Sequence, residues 1–315
     1  MPSPIDAIRT SALVKHYEHG RVLALDGLDL TVPEGSVFGF LGPNGAGKTT
    51  AIKILTGLVE PTSGDAWVAG ESVARSSARL RSQIGYLSQD PRFYTWMTGR
   101  ELLEFAGQLF GTGRTAARRR ADELLEMSGL SRAGGRRIGG YSGGMVQRLG
   151  IAQAIVSSPR ILFLDEPCAS LDPLGRRDVL EFIARLRGKT TVLMSTHILE
   201  DVERVCDTVG IIDRGRMVAT AGTDELARRF APPVVELEFE TVEAATAFAA
   251  AWREDAGTAS ADVDGAKVRL RAPDLSHARA SALRLVTTRG LPLARLETRS
   301  ASLEDVFVRL VGGTS

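Results

Sequence analysis

Gly42, Gly45, Gly47, Lys48 and Thr49 follow the spacing G-x-x-x-x-G-K-T, with Pro43, Asn44 and Ala46 between them and Thr50 after. Glycines allow consecutive backbone N–H groups to turn inward around one anion, a lysine there reaches β- and γ-phosphates, and the hydroxyl that follows is a hard ligand for Mg²⁺. These residue types fit a nucleoside triphosphate. The flanks agree: Val37, Phe38, Phe40 and Leu41 read as a buried parallel strand, and residues from Thr50 to Leu55 open a helix. The glycines therefore occupy a strand-to-helix turn, where the positive end of the helix joins them. A glycine turn with an incidental lysine would need neither flank.

A second apolar run, Ile161 to Leu164, ends in Asp165 and Glu166. In phosphate-loop proteins an aspartate at this place shares the metal with the loop threonine. Glu166 points elsewhere, where it can orient or deprotonate an attacking water. Two adjacent carboxylates are expensive to bury without such a task. Residues 190–195 read as a further strand that delivers His197 to its carboxyl end, the side on which open parallel sheets bind ligands. Position alone leaves His197 as either a γ-phosphate contact or an ordinary exposed imidazole. Ser142, Gly143 and Gly144 precede a helix in a second glycine turn, which fits either another anion site or a plain helix start. Tyr17, on a strand before the loop, fits either a purine stack or ordinary packing, and Gln89 ends a strand before the Asp90-Pro91 break.

The elements that must carry these residues alternate as an α/β chain. Short alternating stretches over residues 8–35 read as an antiparallel edge sheet. Leu102, Phe105, Ala106 and Leu109 recur at i, i+3, i+4 and i+7, predicting an amphipathic helix, and a second helix is predicted over about 115–128, both within a helical block at 92–138. Arg118, Arg119 and Arg120 read as a solvated helix face. The 315 residues carry 39 basic and 38 acidic side chains, so net charge gives no case for nucleic acid. Two cysteines, Cys168 and Cys206, permit no disulfide framework. No leader is apparent and no apolar run approaches the ~18 residues that span a bilayer, so any membrane role is expected through a partner.

In order, the loop Gly42 to Thr49, Gln89, Tyr141-Ser142-Gly143-Gly144-Met145 with Gln147-Arg148, Asp165-Glu166, Ala169-Ser170-Leu171-Asp172 and His197 resemble the motifs of ABC transporter ATP-binding subunits, over about residues 8–225. The resemblance implies a phosphate-loop (RecA-like) parallel core with an antiparallel edge sheet and a helical subdomain at about 92–158, together spanning 1–230. It implies ATP hydrolysis with Mg²⁺ by a head-to-tail homodimer, each ATP lying between the loop of one copy and the Ser142 signature of the other. Lys48 and the loop amides would hold phosphates, Thr49, Asp165 and Gln89 would serve the metal, Glu166 would be the general base, His197 would brace the γ-phosphate, Tyr17 would stack on adenine, and Asp172 would belong to the shared site. Tyr141 and Met145 are similar to the branch that serves ABC-2-type permeases, which implies export of a drug, antibiotic or lipid through a separate membrane protein, on the cytoplasmic side of the cell membrane. An importer is the alternative; a nucleic-acid or ribosome-associated relative fits less well, because 92–138 is too short for a coiled coil and the chain has one cassette. Cys168 stands where threonine is common; it is small enough for the turn, and its thiol opens a route to oxidant sensitivity. Phe93, Tyr94 and Trp96 read by default as packing of the helical block, while the resemblance puts them against the permease.

Beyond Pro232-Pro233 a tail at 233–315 reads β-α-β-β-α-β, a ferredoxin-like split unit, with Glu236, Glu238 and Glu240 on the exposed side of its first strand and Asp264-Gly265 as a hairpin turn. A final helix from Ser302, with Leu303, Val306, Phe307 and Leu310 on one face, closes the expectation.

Overall fold

Every residue of the loop strand is buried, because its neighbours on both edges are strands and helices cover its faces. The computed structural model describes residues 6–75, 78–223, 225, 234–255, 260–272 and 274–299. The expected final helix from Ser302 lies outside the described residues. The chain divides into two units, Met1–Thr223 and Asp224–Ser315. The first runs β1 (Asp6–Tyr17), β2 (Val22–Leu28), β3 (Thr31–Pro33), β4 (Val37–Leu41), α1 (Lys48–Leu55), β5 (Ser63–Val68), β6 (Glu71–Ser72), α2 (Ala78–Gln83) and β7 (Ile84–Leu87). It continues through α3 (Gly99–Leu109), α4 (Arg114–Met127), α5 (Gly143–Ala154), β8 (Ile161–Asp165), α6 (Pro173–Ala184), β9 (Thr191–Thr196), α7 (Leu199–Val205), β10 (Thr208–Asp213) and β11 (Arg216–Gly222).

A six-stranded sheet in the order β11-β10-β4-β9-β8-β7 is parallel except at β11, and a five-stranded antiparallel sheet runs β2-β1-β5-β6 with β3 on β1. The fold class is thus the expected α/β core with an antiparallel edge sheet. Helix α1 begins at Lys48, two residues earlier than its apolar pattern suggests. Its Ala51, Ile52, Ile54 and Leu55 are fully buried in one core with Ile8, Leu25 and Val68 of one sheet and Phe40, Phe163 and Leu193 of the other. A helix apolar around most of its circumference has to be wedged between layers.

The helical block departs from the sequence pattern in an informative way. Leu102, Leu103 and Ala106 of α3 are buried, and Gly107 lets α4 approach closely at Ala117. Phe105 and Leu109, which the periodicity assigns to the buried stripe, are 47% and 71% exposed. Tyr94 and Trp96 are 61% and 66% exposed, so they do not pack the block; Phe93 is half-buried. Arg120 is not a solvated side chain: its guanidinium donates to the carbonyls of Ile155 and Val156 and to Ser158 Oγ, docking α4 on the end of α5.

The second unit contains β12 (Val234–Phe239), α8 (Val242–Asp255), β13 (Ser260–Asp264), β14 (Lys267–Arg271), α9 (Leu275–Arg289) and β15 (Leu293–Arg299). Its sheet order, β13-β14-β12-β15, is antiparallel throughout and is the order of a ferredoxin-like unit. Phe239, Phe248 and Trp252 form its aromatic centre. Glu236 is buried, against the alternation expected of β12, because a central strand places it beside Arg269 at 3.1 Å.

Thr98 caps α3: its Oγ1 accepts from Glu101 N at 3.2 Å, and Glu101 Oε2 accepts from Thr98 N at 2.8 Å. The Thr98 amide, then the Thr98 hydroxyl, holds the Glu101 carboxyl below the usual carboxylate range. Stability from it is present above the unfolded-state pKa and lost as pH falls through the lower folded-state value. Thr98→Ala is expected to cost about 1 kcal/mol in urea unfolding at pH 7.

Candidate functional site

Three strand ends and one helix start converge on a single cluster. β4 ends at the glycine turn, α1 opens with Lys48 and Thr49, β8 ends at Asp165 with Glu166 next, and β9 ends at Thr196 with His197 next. The turn demands its glycines. Gly45 and Gly47 have φ of 82° and 107°, and a Cβ on Gly47 would strike the carbonyl of Ala24, as one on Gly42 would strike that of Ile212. Gly215 N donates to Ala46 O at 2.9 Å and Asp26 N to Gly215 O at 3.0 Å, so the β10–β11 turn and β2 brace the loop from outside. Pro43 and Gly47 are half-buried, and Asn44 and Gly45 are exposed at the loop's tip.

Lys48 is 5% exposed, and its Nζ lies 2.7 Å from Gly42 O, 3.1 Å from Pro43 O and 3.1 Å from Glu166 Oε1. Glu166 Oε2 meets His197 Nδ1 at 2.9 Å. Thr49 Oγ1 donates to Asp165 Oδ1 at 3.0 Å, and Ser195 Oγ donates to the same oxygen at 2.7 Å while accepting from Glu166 N at 2.9 Å. Asp165 Oδ2 is buried with no hydrogen-bond partner among the described residues. Glu166 has φ of 49°, a left-handed conformation that costs an ordinary side chain of the order of 1–3 kcal/mol and turns its carboxylate away from that of Asp165. The cluster thus offers a cation, an unpaired carboxylate oxygen beside a hydroxyl, and a second carboxylate joined to an imidazole.

Ser195 is the member that sequence reasoning missed. A serine inside an apolar strand carries no motif signal; only the parallel register that sets it opposite Asp165 reveals its task. Burial, followed by the Asp165 charge, raises the pKa of Tyr86 on the neighbouring β7.

The other predicted residues lie elsewhere. Ser142 is exposed and caps α5, its Oγ accepting from Met145 N at 3.3 Å, and Gly144 packs on Gly175 of α6. Asp172 caps α6 through Gly175 N. No hydrogen bond among the described residues joins Ser142 or Asp172 to the Lys48 cluster. Gln89 is exposed, and its carbonyl accepts from Gln147 Nε2 at 3.2 Å. Half-buried Tyr17 ends β1 with the Lys15 ammonium 5.1 Å from its ring centre. A cleft of about 390 Å³ opens beside Gln89, lined by Phe93, Tyr94, Phe105, Leu109 and Phe110. Among the described residues no helix is long and apolar enough to cross a membrane.

Cys168 and Cys206 are buried, and burial, with Asp201 next for Cys168 and Asp207 for Cys206, drives both thiols far above their usual pKa. The thiolate is the species that oxidants attack, so these surroundings oppose the oxidant sensitivity expected at Cys168.

The family model for ABC transporters matches residues 25–169. The chain is 40% identical over 308 residues to the daunorubicin resistance ATP-binding protein DrrA2 of Streptomyces coeruleorubidus, covering 97% of this chain and 95% of that one. It is 41% identical over 303 residues to an uncharacterized ABC transporter ATP-binding protein, YxlF, of Bacillus subtilis, covering 95% of this chain and 98% of that one. A solved ATP-binding subunit of an ABC transporter superposes with a TM-score of 0.62 at 32% identity, over 71% of this chain and 93% of that one.

Neither thiol should react with a disulfide reagent such as DTNB at pH 7.5 in the folded protein, and both should titrate at once in denaturant. A rapidly reacting thiol in the native state would contradict their placement.

Proposed function

The chain belongs to the ABC transporter family as an ATP-binding, ATP-hydrolysing subunit, and from that premise we propose that it powers export of a small molecule, a drug, antibiotic or lipid, through a separate ABC-2-type permease that holds it at the cytoplasmic face of the membrane. The observation that carries the hydrolytic part is the cluster of buried Lys48, Asp165 and Glu166 with half-buried Thr49 and exposed His197, beneath a glycine turn whose tip is exposed. Export is supported by similarity to a relative named for resistance to a drug.

In this reading two copies face each other in opposite orientations. Ser142 and Asp172 are exposed and uninvolved with their own loop, which supports a place for them on the partner's nucleotide. The loop amides and the α1 start take the phosphates, and Lys48 exchanges Glu166 for phosphate oxygens. Adenine stacks on the face of Tyr17 opposite the Lys15 ammonium. Asp165 Oδ2 beside Thr49 Oγ1 fits a divalent cation. Thr49, Asp165 and Gln89 would hold Mg²⁺, which supplies positive charge against the β- and γ-phosphoryl oxygens. Glu166, released by Lys48, takes the proton of a water whose oxygen bonds to the γ-phosphorus as the bond to the ADP oxygen breaks. His197 fixes the Glu166 carboxylate through Nδ1 and presents its other nitrogen to the γ-phosphate.

The exposed Tyr94, Phe105, Leu109 and Phe110 around one cleft, with the exposed Trp96 ring 5.7 Å from that of Tyr94, make an apolar surface that water does not favour, and a cytoplasmic helix of the permease is its occupant here. Gln89 at the cleft's edge then stands between that helix and the metal.

Glu166→Gln should keep ATP affinity and lower turnover about a thousandfold, because with nucleotide bound the carboxylate acts on the attacking water and not on the phosphates; undiminished hydrolysis refutes the assignment. Lys48→Ala and Ser142→Arg chains should each be inactive alone, yet recover hydrolysis on mixing, since one of the two sites in a mixed dimer is then intact. Activity of the Ser142→Arg chain by itself would sink the shared site.

A further inference from the structure

Arg176 and Asp201 form an ion pair that the hydrolytic steps do not use. Asp201 on α7 is fully buried, and Arg176 Nε lies 2.6 Å from its Oδ1. The other carboxylate oxygen, Oδ2, accepts from Thr196 Oγ1 at 3.4 Å, and that hydroxyl accepts from Ile198 N at 3.0 Å. His197 is the residue held between them in the chain. The carbonyl of Thr196 in turn accepts from Gly42 N at 3.2 Å. Asp201 therefore fixes the backbone on both sides of His197, and Arg176 fixes Asp201.

Arg176 also belongs to the opposite end of the molecule's business. It sits in the first turn of α6, the turn capped by Asp172. Gly144 of the Ser142 turn packs so tightly on the backbone of Gly175 that a Cβ on it would lie 3.0 Å from the Gly175 Cα, and Gly143 faces the Leu171 side chain. One turn of α6 thus touches the exposed Ser142 segment on one side and holds α7 by charge on the other.

Stability does not explain the pair. Desolvation roughly cancels the attraction in a buried ion pair, and an apolar pair of similar volume is as stable or more so. Burial raises the Asp201 carboxyl, with Arg176 opposing it. The same two helices are also joined at the surface by Arg204 and Glu181 at 3.7 Å.

We propose that Arg176 and Asp201 are positioning residues that carry the seating of the Ser142 turn on the partner copy's nucleotide to His197 of the same chain. The proposal rests on the shared-site reading above. A contiguous packed path joins the two ends through Gly144, Gly175, Arg176, Asp201, Thr196 and His197.

The test uses the full chain with Arg176→Met combined with Asp201→Leu. This variant should melt close to wild type and still dimerise with ATP in a Glu166→Gln background. Its kcat should fall about tenfold, equivalent to about 1.4 kcal/mol, with KM for ATP nearly unchanged, and the Hill coefficient of hydrolysis should drop from above one in wild type to about one. Asp201→Asn, of equal size, reads the same quantities if the apolar pair does not fold. Wild-type kcat and Hill coefficient in a folded variant overturn the proposal, as does activity that tracks melting temperature across the single and double variants. Failure of the Glu166→Gln chain itself to dimerise with ATP withdraws the shared site, and this proposal with it; dimerisation with unchanged kinetics removes this proposal alone.

Discussion

Burial of the Lys48 ammonium governs the rest of the structure. Helix α1 is wedged between two sheets, so its first residue is driven into a region of low dielectric where an unpaired charge is not tolerated. Two loop carbonyls and Glu166 answer that demand. Glu166 can do so only by leaving β8 in a left-handed turn, and Ser195 secures that turn by accepting the Glu166 amide. Each polar group of the cluster is thus placed by the requirement to neutralise or satisfy its neighbour.

Around this centre the first unit leaves both polar and apolar side chains exposed. The exposed Ser142 and Asp172 are helix caps, so the groups offered outward are already oriented by their own backbones. The aromatic side chains at 94, 105 and 110 border a cleft rather than fill a core. Two glycines, Gly144 and Gly150, let α5 lie close against α6 and the Leu87–Phe93 segment.

Much of this was legible in the sequence because the loop, the Asp165-Glu166 pair and the strand runs are local patterns with a single physical reading. The βαββαβ order of the second unit was equally local. What failed was which side of an element its neighbours in the fold cover. The period of α3 marks Phe105 and Leu109 as apolar without saying that α4 and α5 cover only the adjoining Leu102, Leu103 and Ala106. Glu236 alternates like a surface residue, yet a central strand buries it beside Arg269. Ser195, Arg176 and Asp201 carry no motif at all, since their tasks arise from strand register and helix packing.

The brace at Ala46 has a consequence for how the polypeptide acquires its shape during synthesis. The loop emerges early, but the turn at Gly215 that clasps it comes some 170 residues later (215 − 46 = 169), and β4 also waits for β9 and β10 on its two edges. A nascent chain arrested before residue 208 would possess every glycine and the lysine yet lack the clasp. The brace of the loop is therefore completed late in synthesis, and such long-range pairing favours slow maturation of this region.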